Sequence, residues 1–199
     1  MTKHSQTLKE YFYGRVYRFD DVSVNSNRDH TLAILDTFDT FDKTMHCYLM
    51  AVSPLVSSAS TAVDKGRVFP PIFGAYSDHS IFYRMQRLGL PELIDRRDVL
   101  YASHGLIHVD HRLLSYDAQE MSIVTSCHLV DSDIFVPPFN KWNEDTVKIC
   151  DKHQIQLIKW EQGWKCIEHN LDRSPSATHS WYLHDRELTT KQLADWLTQ

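Results

Sequence analysis

The sequence predicts one α+β domain over residues 1–199, a largely antiparallel sheet with three to four helices and a βαβ-like start. Three observations predict it. The stretch 97–130, RDVLYASHGLIHVDHRLLSYDAQEMSIVTSCHLV, reads as three consecutive strands over 98–102, 106–113 and 119–130. In the last of these, Met121, Ile123, Thr125, Cys127 and Leu129 alternate with Glu120, Ser122, Val124, Ser126 and His128, the period of a half-buried strand. Nearer the start, an aromatic and β-branched run, a helical period and a second apolar run follow one another over 11–52, the order of a βαβ unit.

The elements follow in order. Segment 11–24, YFYGRVYRFDDVSV, has the residue types of a strand and is expected to bend at Asp20-Asp21. Ser26 and Asp29 resemble a capping box opening a helix near 27–42, with Leu32, Leu35, Phe38 and Phe41 on one face and a solvated row of Asp36, Asp39 and Asp42 on the other. A strand over 46–52 follows. Residues 53–76 hold Pro54, Pro70 and Pro71, have no clear period, and read as a long loop able to cover a site. A helix over 78–88 turns Ile81, Phe82, Met85 and Leu88 inward and stops at Gly89. Asn143 caps a helix near 144–152, and 155–160 with 164–168 reads as a hairpin around Glu161-Gln162-Gly163. A strand over 180–184 and a helix over 189–198, opened by the capping box of Thr189 and Gln192, complete the chain.

Composition bounds the function. Apolar residues make up 42% and charged residues 24%, the balance of a globular chain. The net charge of −5 is spread along the sequence without a basic run, so nucleic-acid binding is not indicated. The four cysteines lie far apart without a CxxC pair, and no apolar stretch reaches the roughly 18 residues of a membrane span. With no apolar signal segment near Met1, a cytoplasmic location is expected. Trp142, Trp160, Trp164 and Trp181 gather in the last third and are expected to pack in the core.

One candidate site stands out. Closing the hairpin at 115–117 sets Arg112 opposite Glu120, Asp110 opposite Ser122, and His104 opposite His128. That register gathers His104, His108, Asp110 and His128 on one sheet face, a ligand set suited to a divalent transition metal such as zinc or manganese. The spacing His104-x-x-x-His108-x-Asp110-His111 resembles the ligand loops of metal-dependent hydrolases, and Val109-Asp110-His111 is similar to part of an HNH nuclease motif. It departs from the metallo-β-lactamase pattern at Leu106. The resemblance implies a phosphoester or nuclease-like hydrolase in which His111 shuttles protons. A helix followed by long strands resembles the hot-dog thioesterase layout and implies an acyl-thioester enzyme with Asp78 as its acid.

No P-loop, GxGxxG, GxSxG or Cys–His signature is present. The leading expectation is therefore an accessory protein that acts by binding a partner, most naturally another protein. The metal hydrolase and the hot-dog enzyme stay open as alternatives, and so does the question of whether the chain is an enzyme.

Overall fold

The computed structural model describes residues 15–23, 26–43, 46–54, 96, 98–159, 164–175, 180–184 and 187–199. These form seven strands: β1 Arg15–Ser23, β2 His46–Ser53, β3 Val99–Ser103, β4 Ile134–Phe135, β5 Gln156–Leu157, β6 Trp164–Cys166 and β7 Ser180–His184. Four α-helices accompany them: α1 Arg28–Phe41, α2 Tyr116–Leu129, α3 Glu144–Lys152 and α4 Thr190–Leu197. Every strand pairing is parallel, and the order across the sheet is β5-β4-β3-β2-β1-β7-β6. Read round a circle this is simply sequence order, with a seam between β5 and β6. The result is a curled, barrel-like sheet and not the antiparallel meander that the alternation predicts. A hot-dog layout, which needs an antiparallel sheet, falls with it.

The sheet has two dressed faces, as parallel sheets require. Its outer face packs Tyr17, Phe19, Tyr48 and Met50 against Ile34, Leu35 and Phe38 of α1, and Trp181 against Trp196 of α4. Around Phe38 the aromatic rings meet at close range: 4.1 Å to Tyr17, 5.8 Å to Tyr48 and 6.0 Å to Phe19 between centroids. On the inner face, Leu49, Ala51, Ala102, Val136, Ile158, Trp164 and Tyr182 form one apolar layer drawn from both sides of the seam, as curling demands. Beneath α2 and α3 lie Ile123, Cys127, Phe135, Ile149 and Cys150.

The largest correction concerns 106–130. Residues 106–110 are irregular, His111–Leu113 is a 3-10 turn, and 119–130 lies in and just past α2. The buried positions of α2 are Gln119, Ser122, Ile123, Ser126 and Cys127, a helical spacing carried largely by polar and small side chains. Apolar alternation was therefore a misleading signal, because the helix buries serines and a glutamine and exposes Met121. Ser122 hydrogen-bonds the Leu106 amide, and the hydroxyls of Ser103 and Ser126 bond each other. With the hairpin gone, Arg112 does not face Glu120. Arg112 pairs with Asp110, and Glu120 binds Lys152 and His153 at 2.7 and 2.6 Å.

The expected hairpin at 155–168 is likewise replaced. β5 and β6 lie at opposite ends of the sheet order, each paired in parallel with another strand. The caps at Asn143 and Thr189 are present with both halves of the capping box. The helix expected over 78–88 and most of the 53–76 loop lie outside the described residues. Among the described residues no helix is long and apolar enough to cross a membrane.

Phe38 has no exposed surface and ties α1 to β1 and β2. Phe38→Ala is expected to cost about 3–5 kcal/mol, read as a shift of the urea midpoint at an unchanged slope.

Candidate metal centre

β1 and β2 run in register from Arg15↔His46 to Phe19↔Met50 and resume at Val22↔Val52. Two residues of β1, Asp20 and Asp21, thus stand where β2 has one. Such a bulge bends a strand and re-aims its side chains, commonly beside active sites. Asp21 takes a positive φ of 64°, a conformation that costs a non-glycine residue about 1–3 kcal/mol unless its surroundings hold it there.

At the same end of the sheet, the chain leaving β3 supplies two imidazoles. His104 is pinned on three sides: its amide donates to Val52 O at 2.8 Å, its carbonyl accepts from Ser53 Oγ at 3.0 Å, and its ring Nδ1 lies 2.7 Å from Val136 O. A carbonyl only accepts, so Nδ1 carries the hydrogen and Nε2 is left with a lone pair. That Nε2 lies 3.3 Å from Asp21 Oδ1, and His108 Nε2 lies 2.9 Å from the same oxygen. The three ligand atoms fall within 4.8 Å of one another. Yet Asp21 Oδ1 is buried and makes no hydrogen bond among the described residues. Imidazole nitrogens this close to a buried carboxylate oxygen, with no hydrogen bond between them, are placed to share a cation. Burial opposes charge on Asp21, and without an ion it is protonated His104 and His108 rings that would hold its carboxyl far below the usual carboxylate range. One carboxylate and two imidazoles fit a zinc-class ion with open positions remaining.

Beside this group lies a second carboxylate. Arg18 and Asp20 share the inner face of β1, and Arg18 Nη2 donates to Asp20 Oδ2 and to Asn140 Oδ1, each at 2.7 Å. The guanidinium has no exposed surface and lies 4.9 and 4.6 Å from the ring centroids of Trp164 and Tyr182. Asp20 Oδ1, also buried, has no hydrogen-bond partner among the described residues. Asn140 and Phe139 reach this position through a turn in which both have positive φ, 54° and 57°. Phe139 is nearly half exposed and packs its ring 4.3 Å from that of His108.

His111 braces the loop from within. It is fully buried, its Nδ1 donating to Val109 O and its Nε2 accepting from Ser122 Oγ, both at 3.0 Å. Gly105, at φ 78°, leaves room for that ring: a Cβ there would stand 2.5 Å from His111 Cε1. Of the residues singled out from the sequence, the structure brings His104 and His108 together. Asp110 turns instead to Arg112, 2.8 Å away, and Lys141, 3.7 Å away. His128 is exposed in the last turn of α2, and Asp78 lies outside the described residues. Asp20 and Asp21, an acidic doublet ending an aromatic strand, carry a bend signal in the sequence but none of a ligand, and Arg18 carries no site signal at all.

Burial lowers the His111 pKa from 6.5 to about 4. Between those values the unfolded chain takes up a proton that the native state refuses. Stability should therefore fall as pH drops from about 6.5 to about 4, by about 3 kcal/mol from this group. Urea midpoints across that range should fall less steeply in His111→Asn, and an equal slope would refute this account. Arg18→Met should cost about 3–5 kcal/mol by leaving Asp20 charged and unpaired inside the sheet. Arg18→Met combined with Asp20→Asn should recover much of that loss in the same assay.

No protein-family pattern and no curated protein matches this chain. Solved structures do. A family 4 carbohydrate esterase from Streptomyces lividans, in complex with acetate, superposes at a TM-score of 0.54 with 12% identity, covering 94% of this chain and 86% of its own. The peptidoglycan deacetylase PdaC from Bacillus subtilis gives 0.52 with 14% identity over 92% of this chain and 81% of its own. A CE4 family pseudoenzyme from Bacillus anthracis gives 0.52 with 13% identity over 92% and 59%. The expectation of a non-catalytic, protein-binding accessory factor is overturned by these neighbours, which are chiefly esterases and deacetylases. The phosphoester, nuclease-like and hot-dog alternatives have no counterpart among them. What the chain shares with these structures is the fold of the family 4 carbohydrate esterases.

Proposed function

We propose that this chain is a metal-dependent hydrolase that removes acetyl groups from a carbohydrate. The observation that carries the reading is the convergence of Asp21, His104 and His108 beside the buried carboxylate of Asp20. The fold alone would not suffice, because it is shared by active enzymes and by a pseudoenzyme.

A zinc-class ion held by Asp21 Oδ1, His104 Nε2 and His108 Nε2 would supply Lewis acidity toward an acyl carbonyl and lower the pKa of a bound water. The chain's own groups do the rest. Arg18 holds one oxygen of Asp20 and leaves Oδ1 free to take a proton from the attacking water. The Val136 carbonyl fixes the His104 tautomer, so its lone pair is directed at the ligand position without rearrangement. Phe139, exposed beside His108, offers an apolar wall for an acetyl methyl.

Acetate release from N-acetylglucosamine oligomers and from an O-acetylated sugar tests the reading. Zinc- or cobalt-loaded protein should release acetate, lose the activity to a chelator and regain it with metal. Asp20→Asn should lower kcat by about 10²–10⁴-fold while keeping the ion. His104→Ala should lose the ion from this site. Metal-loaded protein that releases acetate from neither substrate would sink the proposal.

A further inference from the structure

A second group of ligand-type side chains lies at the ends of β6 and β7. The parallel register sets Cys166 opposite Tyr182, so Glu168, two residues on, comes level with His184. Cys166 Sγ lies 2.8 Å from Glu168 Oε2, and Glu168 Oε1 accepts the His184 amide at 2.6 Å. His184 Nδ1 lies 3.8 Å from Glu168 Oε1 and 3.5 Å from Glu187 Oε2. Although carboxylates approach it from two sides, His184 Nδ1 is buried and makes no hydrogen bond among the described residues. One ligand atom each from Cys166, Glu168 and His184 falls within 4.8 Å of the others.

We infer that Cys166, Glu168, His184 and Glu187 form a second, zinc-selective site. A thiolate, an imidazole and carboxylate oxygens are the donors zinc accepts, and four of them close a tetrahedron. Both groups bring three ligand atoms within 4.8 Å of one another, and here Glu187 Oε2, 3.5 Å from His184 Nδ1, offers a fourth, which suits a structural ion. Thiolate ligation also sets it apart in affinity, since soft sulfur favours zinc over magnesium, calcium or manganese. Zinc binding at this site would release the Cys166 thiol proton, so affinity should rise with pH. An ion here fastens the end of β7, whose His184 pairs with Asp20 of β1. The inference does not depend on the proposed deacetylation.

Protein purified without a histidine tag, stripped and reloaded with zinc, should carry two ions per chain by elemental analysis. Cobalt-loaded protein should show a thiolate-to-cobalt charge-transfer band in the near ultraviolet. Cys166→Ser should abolish that band and leave one ion, whereas His104→Ala should keep the band and lose the other ion. Should Cys166→Ser fail to fold, Glu187→Gln, altered at an exposed side chain, should weaken only the thiolate-linked ion. A single ion per chain that His104→Ala removes, or cobalt binding without a thiolate band, overturns the inference. Loss of acetate release with both ions retained would instead count against the proposed function alone.

Discussion

The guanidinium of Arg18 has no contact with solvent, and a charge so placed must be compensated within the sheet. Asp20 answers it with one oxygen, Asn140 with its amide oxygen, and the Trp164 and Tyr182 rings with their π-faces. These partners come from β1, from the turn after β4, and from β6 and β7. A single buried cation thus draws together strands from both sides of the seam. It also fixes where the acidic doublet can stand. With Asp20 turned inward to Arg18, the extra residue of the bulge carries Asp21 to the rim, toward His104 and His108.

The same end of the sheet gathers everything with chemical potential. Asp21, His104, Phe139 and His184 all lie at or just past the carboxyl ends of their strands, where parallel α/β sheets place their sites. The opposite requirement, stability, is met elsewhere. The aromatic layer around Phe38 and the Trp181–Trp196 contact, at 4.8 Å between centroids, hold α1 and α4 to the outer face. Division of labour between face and rim lets the loop after β4 adopt costly backbone conformations, at Phe139 and Asn140, without loosening the core.

Legibility in the sequence followed the physics of each segment. α3 and α4 were readable from their caps at Asn143 and Thr189, whereas α1 was readable from its period alone. Its cap is Asn27 and not the Ser26 of the expected capping box, and Asp42 of its expected solvated row is buried. β7 was readable as a short aromatic run. α2 was not, because it buries Gln119, Ser122 and Ser126 against the site loop, and periodicity counts only apolar residues. That misreading turned a parallel sheet into an antiparallel one, since a hairpin needs no crossover and a helix supplies one. For the site, the pair His104 and His108 was visible from residue type and spacing. Asp21 comes from more than eighty residues earlier in the chain, and only the pairing of β1, β2 and β3 brings it near. A bulge leaves no mark that a one-dimensional pattern can read.

The seam between β5 and β6 has its own consequence. Among the described residues the sheet ends in strands of only two and three residues. Few backbone donors and acceptors are therefore left unpaired, and the open edges offer little purchase to another chain's strand. Such an edge is also the place where amide protons exchange soonest, for local opening there breaks few ladder bonds. With its described ends this short, the curled sheet can breathe along one line and leave β1, which bears Arg18 and Asp21, and β3 undisturbed.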